Sequence, residues 1–384
     1  MAPETPPSHP LEPIEPAPQP PREPASPAQE PGQGSAPPAP GAEQPAAAGA
    51  PTASSRGERA QGLARRALAV ESNSVLLATV VLIVVIGIFH PSFVSVSQLK
   101  AVVQQAVYVG IIAAGMAFLI SMRDIDLSPG SMFGLSLVVA ALLMEHGMNA
   151  WLAAGVGIGA GLAMGLLNAI LAQVIAIPTI VATLATLSMY RGLATALAKG
   201  QPITNLPVNS HFFTIFGGNA AGLPVSVWVL IGITVLLTAV LRLTPFGYRV
   251  RAIGSNPDAA TFSGISIPRV RVQTLVMIGL LAGIAGMLGL SYFESGDPNI
   301  GAGFELQAIA AAVIGGTPLR GGSATVVGAV IGAILLSAVT SGLTYFNVPV
   351  NWSSFSTGLV ILIAVALDSL IRSRRRQRRL GLGL

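Results

Sequence analysis

The 384 residues contain no cysteine, which excludes disulfides, thiol catalysis and zinc–thiolate sites. Lysine is almost missing as well. Of 21 basic residues, all but Lys100 and Lys199 are arginine. Neither lysine follows a glycine or precedes Ser or Thr, so the phosphate-cradling loop G-x-x-x-x-G-K-[ST] is absent. Charge of either sign is scarce, at 10% of residues, where a soluble domain carries about 25%. The four histidines, His9, His90, His146 and His211, are too dispersed to propose a metal site. No Ser/His constellation lies within an apolar stretch, which argues against an intramembrane protease.

In place of charge there is hydrophobic length, with 52% apolar residues. Crossing a bilayer takes about 20 apolar residues. Ten candidate crossings follow: Val75–Phe89, Leu99–Ile120, Leu127–Met144, Trp151–Ile175, Ile177–Leu197, Val225–Leu241, Val270–Leu290, Leu306–Ile314, Ala324–Leu343 and Phe355–Leu370. The eighth is short and is either a crossing, a half-helix or a re-entrant piece. The expected fold is an all-α integral membrane protein of about ten transmembrane helices. Residues 71–372 form the membrane domain. Residues 1–60 are different material, with 17 of the 29 prolines. They cannot bury enough surface to offset their ordering entropy. Residues 1–70 therefore read as a disordered cytoplasmic tail without the pattern of a signal peptide, and 373–384 as a basic cytoplasmic end.

The net charge of +5 does not imply nucleic acid, because the arginines sit at helix ends. Arg123, Arg242, Arg249, Arg251, Arg269, Arg271 and Arg320, with six arginines over Arg372–Arg379, fall on one side of a ten-crossing arrangement. Glu145, Glu294 and Asp297 fall on the other. That asymmetry follows the positive-inside rule and places both termini in the cytoplasm, with membrane lipid around the bundle. Glycines recur at three- and four-residue spacing in the fourth, seventh and ninth spans, where they permit close backbone contact.

The polar stretch 245–268 separates the sixth and seventh spans. Asn256 is a good N-cap, Pro257 suits the first helical position and Asp258 complements the helix dipole. Gly264 suits the residue after the helix, and Pro268 prevents continuation. A short helix over Pro257–Ser263 is expected. Two turns are not stable alone in water, so it lies on the protein's own membrane domain or on a partner.

Within it, AIGSNPDAATFSGI resembles the coupling segment of permease subunits of sugar-type ABC importers, the ribose and xylose permease group. Gly254, Asn256, Ala259, Ala260, Ser263, Gly264 and Ile265 match that pattern. Asp258 stands for its Glu, Ser255 for its second Gly and Thr261 for its Arg, while Phe262 keeps the apolar contact. IDLSPGSM, residues 125–132, resembles the family's IDLSVGS. Residues 304–333, beginning FELQAIAAAVIGGTPLRGG, resemble a third family pattern, with Gln307 in place of its Asp.

The resemblance implies a transport subunit, not an enzyme. It carries no cofactor of its own, and ATP and magnesium are held by a separate ATPase chain. The ATPase docks on 245–268 through Gly247, Gly254, Asn256, Asp258, Ala259, Ala260, Phe262, Ser263 and Gly264. An extracytoplasmic sugar-binding protein delivers substrate to loops 200–224 and 291–304. A second permease copy, or a close paralogue, completes the pathway. The segment RDIDLSPGSMFGL leans toward xylose, with ribose, other pentoses, hexoses and nucleosides open. Asp126 and Ser128 are either caps of the third span at the inner face or part of the translocation path. Glu305 is either a path residue or a partner of its helix dipole. Gly315–Gly316 and Gly321–Gly322 form either a hinge or a tight turn. The rival class is an ion-coupled secondary transporter, disfavoured because the carboxylates sit at span ends.

Overall fold

The computed structural model describes residues 72–349 and five isolated positions beyond them. The tail 1–70, nearly all of the tenth expected span and the basic end 373–384 lie outside the described residues. The nine other expected spans are helical. They are α1 (Ser72–Phe89), α2 (Val96–Ser121), α3 (Pro129–Glu145), α4 (Ala150–Gln173), α5 (Thr179–Leu197), α7 (Val225–Leu243), α10 (Ile267–Phe293), α11 (Phe304–Ile314) and α12 (Val326–Tyr345). Six of them, α2, α4, α5, α7, α10 and α12, are long and apolar enough to cross a membrane.

Three short helices fill the connections: α6 (His211–Phe216), α8 (Pro245–Ser255) and α9 (Pro257–Phe262). A two-residue hairpin pairs β1 (Asn219–Ala220) with β2 (Leu223–Pro224). The sixth span ends at Leu243, just before the polar stretch, but the chain re-enters helix at Pro245. Thr244 caps α8 by accepting from the Gly247 N–H at 3.2 Å, and Pro245 takes the first-turn position where its missing N–H costs nothing.

The central element is α2, buried along nearly its whole length. It packs against α7, α10, α11 and α12. The outer faces of α4, α5 and α7 are apolar and exposed, through Leu152 and Val156, Leu184 and Met189, and Val235 and Leu236. Such faces suit lipid. Helices gain no hydrophobic drive from meeting each other there, so contact depends on close fit. The glycine spacing supplies it. A side chain at Gly161 would collide with the Gly279 carbonyl and with Gly283 of α10, and one at Gly279 would collide with the Gly161 carbonyl. The α4 and α10 backbones thus touch directly. Gly159, on the same helix, faces open space.

This contrast gives a test. Leucine at position 161 overpacks a contact with no side chain to yield, costing about 1–3 kcal/mol or more. Gly161→Leu is expected to lose most of its monodisperse, heat-resistant fraction in detergent, and Gly159→Leu to keep it. Equal stability of the two variants contradicts the backbone contact.

Candidate functional site

Helix lengths set the depth of each polar group. With 1.5 Å of rise per residue, Arg191 stands roughly 18 Å above Thr179 at the start of α5. Residues 124–128 are not helical, and they climb beside α5. Asp124 sits at the base, with Oδ2 2.6 Å from Arg271 Nε and accepting from Thr179 Oγ1 at 2.8 Å. The Arg271 contact is ionic and not aligned as a hydrogen bond. Asp126 comes next and is fully buried. Its Oδ1 accepts from the Ser128 N–H at 2.8 Å and the Ser128 hydroxyl at 2.6 Å. Asn168 of α4 donates to Ser128 Oγ at 2.7 Å, and Tyr190 of α5 donates to Asn168 Oδ1 at 3.0 Å.

This corrects the expectation of a helix start at the inner face. The chain rises first, and α3 begins at depth. Ser128 occupies the cap position, but its hydroxyl is spent on Asp126 and not on a free helix N–H.

A second irregular segment descends from the opposite end. Residues 294–303 follow α10 and lead into α11. Arg191 Nη1 donates to the carbonyls of Pro298 at 2.5 Å and Ile300 at 3.3 Å. The two segments meet at Gly130, where a side chain would collide with Glu305 Oε2 and the Gly301 carbonyl. Glu305 Oε2 is buried there without a hydrogen bond among the described residues, and Arg191 supplies its attracting charge. The IDLSPGS and FELQ segments, 172 residues apart, are therefore one structure.

Arg191 departs from the expectation that arginines sit at helix ends: it lies within the fifth span, where a lone arginine is a functional signal by default. Between the second segment and helices α2 and α12 lies a cavity of about 510 Å³. Glu305, Asp126 and Ser128 are not among its lining residues.

At the arginine-bearing end, α2 finishes against the stretch 245–268. Arg123 Nε and Nη2 each donate at 3.2 Å, to the carbonyls of Gly254 and Ser255. A side chain at Gly254 would collide with the Ser121 carbonyl, and one at Gly247 with the carbonyls of Val240 and Leu241. Both glycines are buried, so their role is close approach and not partner contact. Asn256 caps α9, accepting from Ala259 N–H at 3.1 Å. Gly264 follows with φ +79°, a left-handed conformation suited to glycine.

Asn256, Asp258, Ala259, Ser263 and Gly264 are exposed, and Phe262 is 92% exposed. Ala260 differs from expectation: it is buried against the chain itself. Beside α9, Arg249 and Arg269 border a cleft of about 300 Å³.

Phe262 thus stands uncovered at the arginine end among the described residues. The model of the family described as branched-chain amino acid transport system, permease component, matches residues 98–365. The chain belongs to this permease family.

Its relatives include the ribose import permease protein RbsC of Bacillus subtilis, 39% identical over 293 residues, covering 76% of this chain and 91% of that protein. The L-arabinose ABC transporter permease protein AraH of Azospirillum brasilense is 31% identical over 307 residues, covering 80% and 90%. The autoinducer 2 import system permease protein LsrC of Escherichia coli is 33% identical over 311 residues, covering 79% and 90%. No solved structure matches the chain. It is a multi-pass membrane transport subunit and not an enzyme.

Arg191 generates the prediction here. Arg191→Met removes both loop hydrogen bonds and strands Glu305. Backbone amides of 296–303 are expected to exchange hydrogen at least about tenfold faster, as loss of a charge-assisted bond implies. Protection of α4 and α10 stays unchanged. Unaltered exchange over 296–303 removes Arg191 as the anchor of that segment.

Proposed function

We propose that the chain is the membrane-spanning subunit of an ATP-driven sugar importer, with a pentose as cargo. The observation that carries this reading is similarity to ribose and arabinose permeases over about nine-tenths of their length. Xylose, toward which the sequence leaned, is not among those names, and ribose and arabinose take its place. The family description itself names branched-chain amino acids, so the cargo rests on the individual relatives.

ATP and magnesium belong to a separate ATPase, because this chain has no loop to cradle phosphate. That partner docks at 245–268, where Asn256, Asp258, Ala259, Phe262, Ser263 and Gly264 present the exposed side of α9. Gly247, Gly254 and Ala260 hold the segment against the membrane domain from behind. The arginine end is cytoplasmic by the positive-inside rule. Ten crossings, with the tail 1–70 and the basic end 373–384 both cytoplasmic, complete the topology. The membrane domain spans 71–372.

The opposite end receives a sugar-binding protein on 200–224 and 291–304. Two features support a firm platform there. Ile203 and Gly296 exchange backbone hydrogen bonds, and Trp151 packs edge-on against Phe212 and Phe216. A second copy, or a close paralogue, completes the pathway.

The depth of Asp126 and Glu305 removes one sequence argument against an ion-coupled transporter, since buried carboxylates beside interrupted helices are found in that class. Family membership decides for the importer.

Two outcomes are expected. In vesicles carrying the assembled transporter, uptake of labelled D-ribose or L-arabinose stops on ATP depletion and survives a protonophore. The reverse pattern overturns the reading. At α9, Phe262→Asp places a charge in a contact that excludes water, costing about 3 kcal/mol or more. Gly264→Val strains the left-handed position. Both variants insert in the membrane but fail to retain the ATPase on co-purification, while undiminished complex from both shows that the partner docks elsewhere.

A further inference from the structure

We propose that the 510 Å³ cavity is a holding site for a neutral sugar, taken by aromatic rings on its C–H face and by side-chain amides on its hydroxyls. The inference rests on the importer reading and specifies where within this chain the cargo pauses. The cavity lies between α2, the end of α10, the segment 294–303, α11 and α12. Gln105 enters it from α2, roughly 14 Å from the start of that helix, and Gln307 from the first turn of α11. The volume lies within the ordinary range for small-molecule sites, about 300–1,000 Å³.

Beside small and aliphatic residues and the hydroxyls of Ser337 and Thr340, two kinds of group line this space. The first is aromatic: Tyr108, Tyr292, Phe293 and Phe304. Ring faces carry negative potential and attract the weakly positive C–H surface of a sugar ring. Tyr108 is held in place for this. Gln104 Nε2 donates to its hydroxyl at 2.8 Å, and Ser226 Oγ donates to Gln104 Oε1. Its ring lies parallel to that of Phe304, with centroids 6.5 Å apart.

The second kind is the carboxamide, which offers both donors and acceptors, as a hydroxyl ligand requires. Gln105 and Gln307 line the cavity, and their side chains make no hydrogen bond among the described residues. Neighbouring glutamines thus divide the work, Gln104 committed inward and Gln105 open. Asn299 also lines the cavity, with one amide N–H donated to Asp297 Oδ1 at 3.1 Å.

Charge selects the ligand class. No Asp, Glu, Lys or Arg lines the cavity. The N-terminus of α11 borders it and would by itself attract an anion. Glu305 already occupies that first turn, so a carboxylate or phosphate meets repulsion and finds no cation. A neutral polyhydroxyl compound fits where an amino acid or a sugar phosphate does not.

The chain has no cysteine, so Gln307→Cys creates a unique thiol in it. In the assembled transporter, labelling of that thiol by a small methanethiosulfonate reagent is followed by mass spectrometry of this chain. D-ribose, L-arabinose and D-xylose serve as neutral probes, with ribose 5-phosphate and L-leucine for comparison. At least one pentose is expected to slow labelling several-fold, and the anionic phosphate and zwitterionic leucine not at all. A thiol from Leu319→Cys, outside the cavity, is unaffected by any of them. Separately, Gln307→Ala and Gln105→Ala each lower uptake about tenfold, as loss of a ligand hydrogen bond implies. Both variants still insert in the membrane and co-purify with the ATPase, because neither residue touches α9. Labelling untouched by all three pentoses, or slowed by leucine or the phosphate instead, overturns the proposal. So does wild-type uptake in both alanine variants. Wild-type uptake is a separate matter: failure to import any pentose counts against the importer reading, while import with an unprotected thiol counts against the cavity alone.

Discussion

In hydrocarbon an unsatisfied backbone N–H or C=O costs several kcal/mol, so irregular chain at membrane depth survives only inside protein. Two such segments, 124–128 and 294–303, determine the arrangement of everything around them. The rising one is satisfied by side chains. Asp124 accepts from the Ile125 N–H, Thr183 of α5 from Leu127 and Asp126 from Ser128. The descending one is satisfied by Arg191, by Ile203 and by the turn that Asp297 makes with Asn299. Asp124, Asp126, Thr183 and Arg191, which hydropathy alone would reject from a span, each have a backbone group to serve. Gly130 lets the two segments touch, and that contact sets where α3 and α11 begin.

Much of the helical framework was legible because a bilayer imposes one length on every crossing. All nine described spans lie where their apolar runs lie, and the ambiguity of Leu306–Ile314 came from the right cause. That helix is short because Phe304 starts at depth, after the chain has already descended without helix. Depth itself was not legible. The pattern IDLSPGS contains cap residues, and cap chemistry predicts a helix start without saying how far into the membrane it stands. The partners that raise it, Thr183, Asn168 and Tyr190, are distant in sequence.

Two further features were implied by helix geometry and by the cost of charge in lipid. Ala260 and Phe262 are two residues apart, about 200° around a helix. They cannot share a face, so if one meets a partner the other faces inward, as Ala260 does. Arg191 stood alone in an apolar run, and an arginine that crosses into lipid needs a protein acceptor. The carbonyls of Pro298 and Ile300 could not be named in advance, but the need for some acceptor could.

The two ends of the molecule are joined by elements with little slack. From Gln105 at the cavity to Ser121 at the arginine end, α2 is unbroken for about 24 Å. There the Ser121 carbonyl accepts from the Gly322 N–H at 3.0 Å and lies too close to Gly254 to admit a methyl group. The turn 315–322 is equally tied. Thr325 Oγ1 donates to the Gly315 carbonyl at 2.6 Å, and its N–H donates to Thr317 Oγ1. Three of its glycines, Gly316, Gly321 and Gly322, hold positive φ, which explains their identity through conformation and requires no motion. That favours the tight turn over the hinge. Packed interfaces shift between discrete arrangements and do not deform continuously. On the proposed docking, a displacement applied at Phe262 would be passed on by α8 to the end of α2, and through the turn to α11, with both helices moving as bodies. Gln105 and Tyr108 ride on the first and Gln307 on the second. The proposed coupling at one end and the proposed grip of the cavity at the other would then be two consequences of the same rigid contacts.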